Sequence, residues 1–234
     1  MDEILKFTGH VADHFKNAFG PPVLEVYRLG SLAHGGFSAV YSDIDIGVIL
    51  NCAEPPGDMA EIIAGAKRLD PEYGKKLSVF WGNPDYSWGR LPVLDRVDLL
   101  DHGVPLLNGI KADFPRPSKD AIHRMLRDSL ENNYMVKAVE LAALKSLEAK
   151  DRKPYIRSIL YPARCIYSWD LLKVNSNDAA VAYLKKVAPA GLDLRPIEMA
   201  LECRQAKCSA EDVFALGTDL ERQYQATLDY IDKA

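Results

Sequence analysis

Apolar residues along the first half of the chain follow two spacings. In residues 2–18, Ile4, Leu5, Val11, Phe15 and Ala18 fall on one face of a helix, which Gly20 and Pro21-Pro22 should stop. Residues 23–29 read as a strand ending at Gly30-Ser31, and a glycine-containing loop over 32–42 leads to a second strand over 43–50. Strand side chains alternate between faces, so Ile44, Ile46, Val48 and Leu50 should enter a core while Asp43 and Asp45 share the opposite face. A turn at Glu54-Pro55-Pro56-Gly57, a helix near 58–69 and two further strands, over 76–81 and 93–101, complete this part.

Strand signals nearly vanish after Ser118. Ser118 and Asp120 make an N-cap region for a long helical run to about Lys150. Further helices are expected over 153–174, 178–187, 195–207 and 210–234. The pattern predicts two domains, an α/β domain over 1–115 and a helical domain over 116–234, without internal repeats.

Composition narrows the class. With 48% hydrophobic and 26% charged residues in 234, the chain is an ordinary globular one, not a disordered or collagen-like one. No apolar stretch has the roughly 20 residues a membrane helix needs, so no membrane association is expected. The opening MDEILKFTGH is not expected to be a secretory leader. Four cysteines without a C-x-x-C pair predict free thiols in a cytoplasmic protein rather than a disulfide or zinc scaffold. The net charge of −4 argues against extended nucleic-acid binding, and no Lys/Arg cluster exceeds pairs such as Lys75-Lys76 and Lys185-Lys186. Residues 1–116 carry 11 Lys+Arg against 16 Asp+Glu; residues 117–234 carry 18 against 17. An acidic half beside a near-neutral one suits a site that holds metal cations and a polyphosphate together.

The candidate chemistry lies between Gly30 and Asp45. Two like charges this close repel unless a cation sits between them or one takes a proton. Magnesium suits such a pair, because it is hard and needs only one or two carboxylates plus substrate phosphates. Upstream, Gly30 permits close backbone approach, and exposed N–H groups with the Ser31 hydroxyl can hold phosphate oxygens.

The stretch from Gly30 to Ile46 reads G-S-x-A-x-G-G-x(5)-S-D-I-D-I. It resembles the signature of the DNA polymerase β-type nucleotidyltransferase superfamily, and within it the streptomycin/spectinomycin adenylyltransferases. A second likeness runs from Ala163-Arg164 through Asn177-Asp178, where Asn177 replaces a lysine of the family pattern. The resemblance implies an α/β (α+β) nucleotidyltransferase domain with a short mixed sheet, followed by an all-α bundle. It implies that Gly30 and Ser31 hold the nucleotide phosphates, that Asp43 and Asp45 bind two magnesium ions, and that Arg164 reaches the phosphates from the helical domain. It also implies a third carboxylate on a neighbouring strand, as metal ligand or base. Asp98 fits by strand alternation, since Val97 and Leu99 flank it, and Asp101 fits by spacing; both remain open.

The expected activity is transfer of a nucleoside monophosphate, AMP from ATP, onto a hydroxyl of a small-molecule acceptor such as an aminoglycoside, with Glu131 and Glu140 adding to an acidic cleft. The alternatives are a nucleotide-binding regulatory or antitoxin-type module of the same fold, or a protein AMP-transferase. His10 and His14 share a helix face but lack a carboxylate partner; His34 and His102 are possible contacts, the latter as a proton shuttle. Trp81, Trp88 and Tyr86 should pack the sheet edge.

Overall fold

The computed structural model describes residues 1–54, 57–205, 208–217 and 219–233. Pro55 and Pro56 of the expected turn, and Ala206, Lys207, Thr218 and Ala234 of the expected helices, lie outside the described residues. The chain divides into two compact units, one of residues 1–37 and 42–117, the other of residues 38–41 and 118–234.

The first unit is a five-stranded mixed sheet in the order β4-β3-β2-β1-β5. Helix α1 (Asp2–Phe19) places Phe7, Val11 and Phe15 in the core and ends at Gly20, whose φ of +64° suits glycine. Strand β1 (Val23–Leu29) pairs antiparallel with β2 (Ile44–Leu50), and β2 pairs parallel with β3 (Leu77–Gly82). Between β1 and β2 lies a single helical turn, α2 (Ser31–His34). Helix α3 (Met59–Arg68) starts at Asp58, whose carboxylate accepts from the Ala60 and Glu61 amides, and α4 (Pro71–Gly74) starts likewise at Asp70. The edges are two-residue strands, β4 (Gly89–Arg90) and β5 (Val104–Pro105).

Both faces of the sheet are covered. Ile44, Ile46, Val48 and Leu50 are fully buried in one core with α1 and α3 residues, as the alternation predicted. On the other face Tyr27, Leu29 and Ile49 pack with Leu91 and Leu99. Leu99 belongs to α5 (Val93–His102), a helix where a strand was expected. The apolar residues Val93, Val97 and Leu100 lie four and three apart, and Pro92 stands at the N-cap, so the segment obeys the helical period as well as the strand one. Trp81 and Trp88 do pack at the sheet edge, with ring centroids 5.9 Å apart.

The second unit is built around α8 (Arg152–Leu171). This helix is apolar on nearly every side, as a central helix must be. Around it stand α6 (Lys119–Ser129), α9 (Asn177–Val187), α10 (Leu194–Gln205), α11 (Ala210–Ala215) and α12 (Leu220–Ile231). Pro162 sits inside α8 and cannot donate to the Ser158 carbonyl; the Tyr224 hydroxyl of α12 donates there instead, at 2.9 Å. Asp170 accepts from Tyr183 and Tyr230, both at 2.8 Å, tying α9 and α12 to the end of α8.

Two expected helices are broken. The run from Ser118 passes through a π-helical turn, Leu130–Tyr134, into α7 (Met135–Ala142) and stops there, short of Lys150. Beyond it Leu147 is buried, so tertiary packing overrides local helix propensity. The last run divides into α11 and α12 near Gly217, where a Cβ would strike the buried Tyr155 ring. The four cysteines are not all free thiols either. Cys203 and Cys208 form a disulfide, five residues apart, whereas Cys52 and Cys165 are free. No helix is long and apolar enough to cross a membrane among the described residues.

Candidate active site

The turn after β1 is held in a conformation that only glycine adopts readily. Gly30 has φ +62° and ψ −151°, and its carbonyl accepts from the amides of Ala33 and His34 at 2.8 and 3.0 Å, which winds α2. A Cβ at Gly30 would collide with Oδ2 of Asp45. The Gly-Ser turn and the second carboxylate of the Asp-x-Asp pair are therefore in direct contact. Ser31 opens α2 and is half-buried. Asp43 stands one residue before β2, Asp45 is the second residue of β2, and both are half-buried.

Asp98 approaches the same turn from α5. It is 4% exposed, and its Oδ2 accepts from the Gly30 amide at 2.6 Å. Its Oδ1 is buried and accepts no hydrogen bond among the described residues; the nearest cationic candidate is Nε2 of His34, at 3.9 Å. The His34 ring stands edge-on to His102, centroids 5.5 Å apart. Three turns of the chain thus meet at Gly30: the end of β1, the start of β2 and the middle of α5.

Asp98 and Asp101 are corrected in placement: both belong to α5, not to a strand, so alternation gives no ground for choosing between them. Asp101 is engaged elsewhere, both of its oxygens accepting from Arg116 at 2.7 and 2.9 Å. This bidentate pair raises the Arg116 pKa, chiefly through the hydrogen bond. Nor does a neighbouring strand supply the acid. The residue in register with Asp45 on β3 is Ser78, and on β1 it is Leu29. The one acid of β1, Glu25, is fully buried and accepts from the amides of Val26, Leu107, Asn108 and Ile110 at 2.8–3.0 Å. Register between β2 and β3 is a long-range property, so no local signal pointed to Ser78.

Magnesium can be tested against this donor set. Asp43, Asp45 and the Ser31 hydroxyl are hard oxygen donors, and the contact of Asp45 with Gly30 puts one carboxylate beside the turn suited to phosphate. Among the described residues, no group of three or more His, Cys, Asp and Glu forms a cage. The residues therefore fit an ion that completes its shell with substrate phosphates and water, which is how magnesium binds.

Arg164 belongs to the second unit, on α8, half-buried and without an ion pair among the described residues. Asn177 is the first residue of α9, behind a Ser176 cap. Of the histidines set aside, His14 bonds the Ile62 carbonyl at 2.9 Å and His10 is exposed.

No protein family matches the chain, and no curated protein does. Among solved structures the chain is similar to spectinomycin adenyltransferase AAD(9) from Enterococcus faecialis, determined with ATP and spectinomycin. The TM-score is 0.65 and the identity 17%, over 96% of this chain and 99% of that one. The likeness is one of fold, and the mixed sheet followed by helices is the architecture that the Gly-Ser and Asp-x-Asp resemblance implied.

Proposed function

We propose that this chain is a magnesium-dependent nucleotidyltransferase that moves AMP from ATP onto a hydroxyl of a small-molecule acceptor. The observation that carries the reading is the contact between Gly30 and Asp45, which joins a backbone turn suited to phosphate with a carboxylate suited to a divalent cation. The fold shared with AAD(9), whose structure holds ATP and spectinomycin, supports it.

In this reading the Gly30-Ser31 turn orients the triphosphate, and Asp43 and Asp45 hold two magnesium ions. Magnesium, when bound, offsets charge on the phosphates and makes the attacking hydroxyl more acidic. The acceptor hydroxyl releases its proton to water, its oxygen forms a bond to the α-phosphorus, and the bond to pyrophosphate breaks. Arg164 binds nucleotide phosphate; it makes no ion pair among the described residues, which leaves the guanidinium to the nucleotide. Asp98 acts on the turn through the Gly30 amide, and Asp101 stays with Arg116. Aminoglycosides remain acceptor candidates, although Glu131 is paired with Arg127 and Glu140 is exposed, so the expected acidic contribution is not assembled. The proposed compartment is the cytoplasm, where ATP is plentiful; the Cys203–Cys208 bridge is the observation that pulls the other way.

Ser78 in register with Asp45 favours a second reading, because a sheet without a third acid lacks an obvious base. The chain would then be a nucleotide-binding regulatory or antitoxin-type module that does not turn over. A protein hydroxyl as acceptor would use the same turn and carboxylates as a small molecule.

The test mixes the protein with magnesium, ATP and an acceptor panel including spectinomycin and streptomycin, and measures pyrophosphate. Turnover that falls at least ~100-fold in Asp43→Asn and Asp45→Asn supports transfer. Magnesium-dependent ATP binding by calorimetry without pyrophosphate, for every acceptor, supports the module. Turnover indifferent to both substitutions rejects both readings.

A further inference from the structure

The Cys203–Cys208 bridge stands at a junction of the helical unit. Cys203 lies in the last turn of α10 and is buried; Cys208 is half-buried and precedes Ser209, the cap of α11. The residues beside the bridge tie three more segments to it. The Arg152 guanidinium, at the start of α8, donates to the Cys208 carbonyl at 3.2 Å. The Gln205 side-chain amide donates to the Asp178 carboxylate, at the start of α9, at 2.9 Å. The Ser38 hydroxyl donates to the Arg204 carbonyl at 3.0 Å and accepts from the amide of buried Tyr41 at 3.3 Å.

Ser38–Tyr41 belongs with the helical unit, whereas residues 1–37 and 42–117, on either side of it, form the sheet unit. This short segment is the middle of the connection from the Gly30-Ser31 turn to Asp43 and Asp45. Asp43 follows Tyr41 by two residues, so whatever holds Ser38 and Tyr41 restrains the entry to β2 along the chain. One such hold is the carbonyl of the residue next to Cys203. The bridged cysteines are five residues apart, and so short a loop gains least from closure, which makes the bridge a weak staple for the fold. In a reducing compartment, which is the one proposed above, bridges are mostly transient and redox-sensing.

We propose that Cys203–Cys208 is a thiol–disulfide exchange site, that its reactant is a dithiol, and that its state sets how firmly residues 38–41 are held. A thiolate of the dithiol attacks Sγ of Cys208, the more exposed of the two residues, and the S–S bond breaks toward Cys203. The second thiol of the reductant then displaces Cys208 from the mixed disulfide. Two electrons and two protons pass to the bridge, which ends as two thiols while the dithiol ends as a disulfide. Without the bond the last turn of α10 loses its tie to Cys208, and the Arg204 carbonyl is freer to leave Ser38. The effect on ATP rests on the nucleotide-transfer reading; the exchange and the release of residues 38–41 do not.

The test compares the full chain before and after treatment with dithiothreitol, by hydrogen exchange without nucleotide. Reduction should quicken exchange at residues 38–42 about tenfold, and a buffer of reduced and oxidised glutathione should reverse it. The double variant Cys203→Ser, Cys208→Ser should exchange at the fast rate with or without reductant, and circular dichroism checks that it is folded. Ser38→Ala, which keeps the bridge and removes the link, should also be fast in both states. Calorimetry with ATP and magnesium then reads the site: reduction should weaken Kd about three- to tenfold. Exchange at 38–42 that ignores the reductant, or a bridge that glutathione leaves intact, overturns the proposal. Equal ATP affinity in both states overturns it too. Quickened exchange with no ATP binding in either state upholds the exchange site and counts against the nucleotide reading instead.

Discussion

The amide of Gly30 donates to Oδ2 of Asp98 across 68 residues of sequence, at 2.6 Å. The bond fixes the turn from behind, while Asp45 touches the same glycine from β2. In the proposed reaction Asp98 would therefore act as a positioning residue, and the split between KM and kcat distinguishes that role from a base. Asp98→Ala leaves a buried amide without its acceptor, a cost of about 1–3 kcal/mol, and is expected to raise KM for ATP about tenfold. Asp98→Asn keeps an acceptor oxygen and should restore most of the affinity. Were Asp98 the base, Asn and Ala would lower kcat alike.

A second expectation concerns the break between α11 and α12. A methyl group at Gly217 would meet the Tyr155 ring and disturb the bond from its hydroxyl to the Phe214 carbonyl, now 3.1 Å. Gly217→Ala should cost about 1–3 kcal/mol as overpacking and lower Tm by several degrees in calorimetry. An unchanged Tm would mean that the ring has room to move.

Glu25 is the sole side-chain acceptor for the amides of Leu107, Asn108 and Ile110 among the bonds described, so it anchors the segment after β5. Glu25→Ala orphans these donors at about 1–3 kcal/mol each where they stay buried. Urea unfolding should show a loss of about 3 kcal/mol or more, and hydrogen exchange should quicken at 107–110.

Burial pushes the Cys165 thiol up to about 12, from 9.0. At pH 8 roughly one such thiol in 10⁴ is ionised, so a disulfide reagent should label Cys165 only after unfolding. The shift also has a sign in stability. The folded state holds this proton more tightly, so the contribution is complete below pH 9 and is lost as pH rises toward 12. Buried Tyr161 and Tyr224 are raised by the same cause and add to it. Urea midpoints should therefore fall with pH above about 9; a flat profile there would contradict the burial of these groups.

How far the sequence could be read depended on whether a feature was local. The alternation over Ile44, Ile46, Val48 and Leu50 announces one buried face, and β2 forms there. Asp43, Asp45, Gly30 and Ser31 could be found by spacing, because a turn and the next strand lie close in sequence. Asp98 was found as an acid but not as part of a helix, since nine residues with Val93, Val97 and Leu100 satisfy two periods. The breaks before Leu147 and at Gly217 follow from tertiary packing, which local propensity does not carry. The same holds for Ser78 beside Asp45, which a parallel pairing of two separate strands brings into register.

A π-turn is a helix carrying one residue too many. Removing one residue from Leu130–Tyr134 would let α6 and α7 close into an uninterrupted rod, swinging Lys137 about 100° around the axis relative to Ser129. Insertion or deletion in this pentapeptide, more than any replacement of side chains, would thus re-aim the whole outward face of α7 relative to α6 while leaving the β-sheet of the other unit untouched.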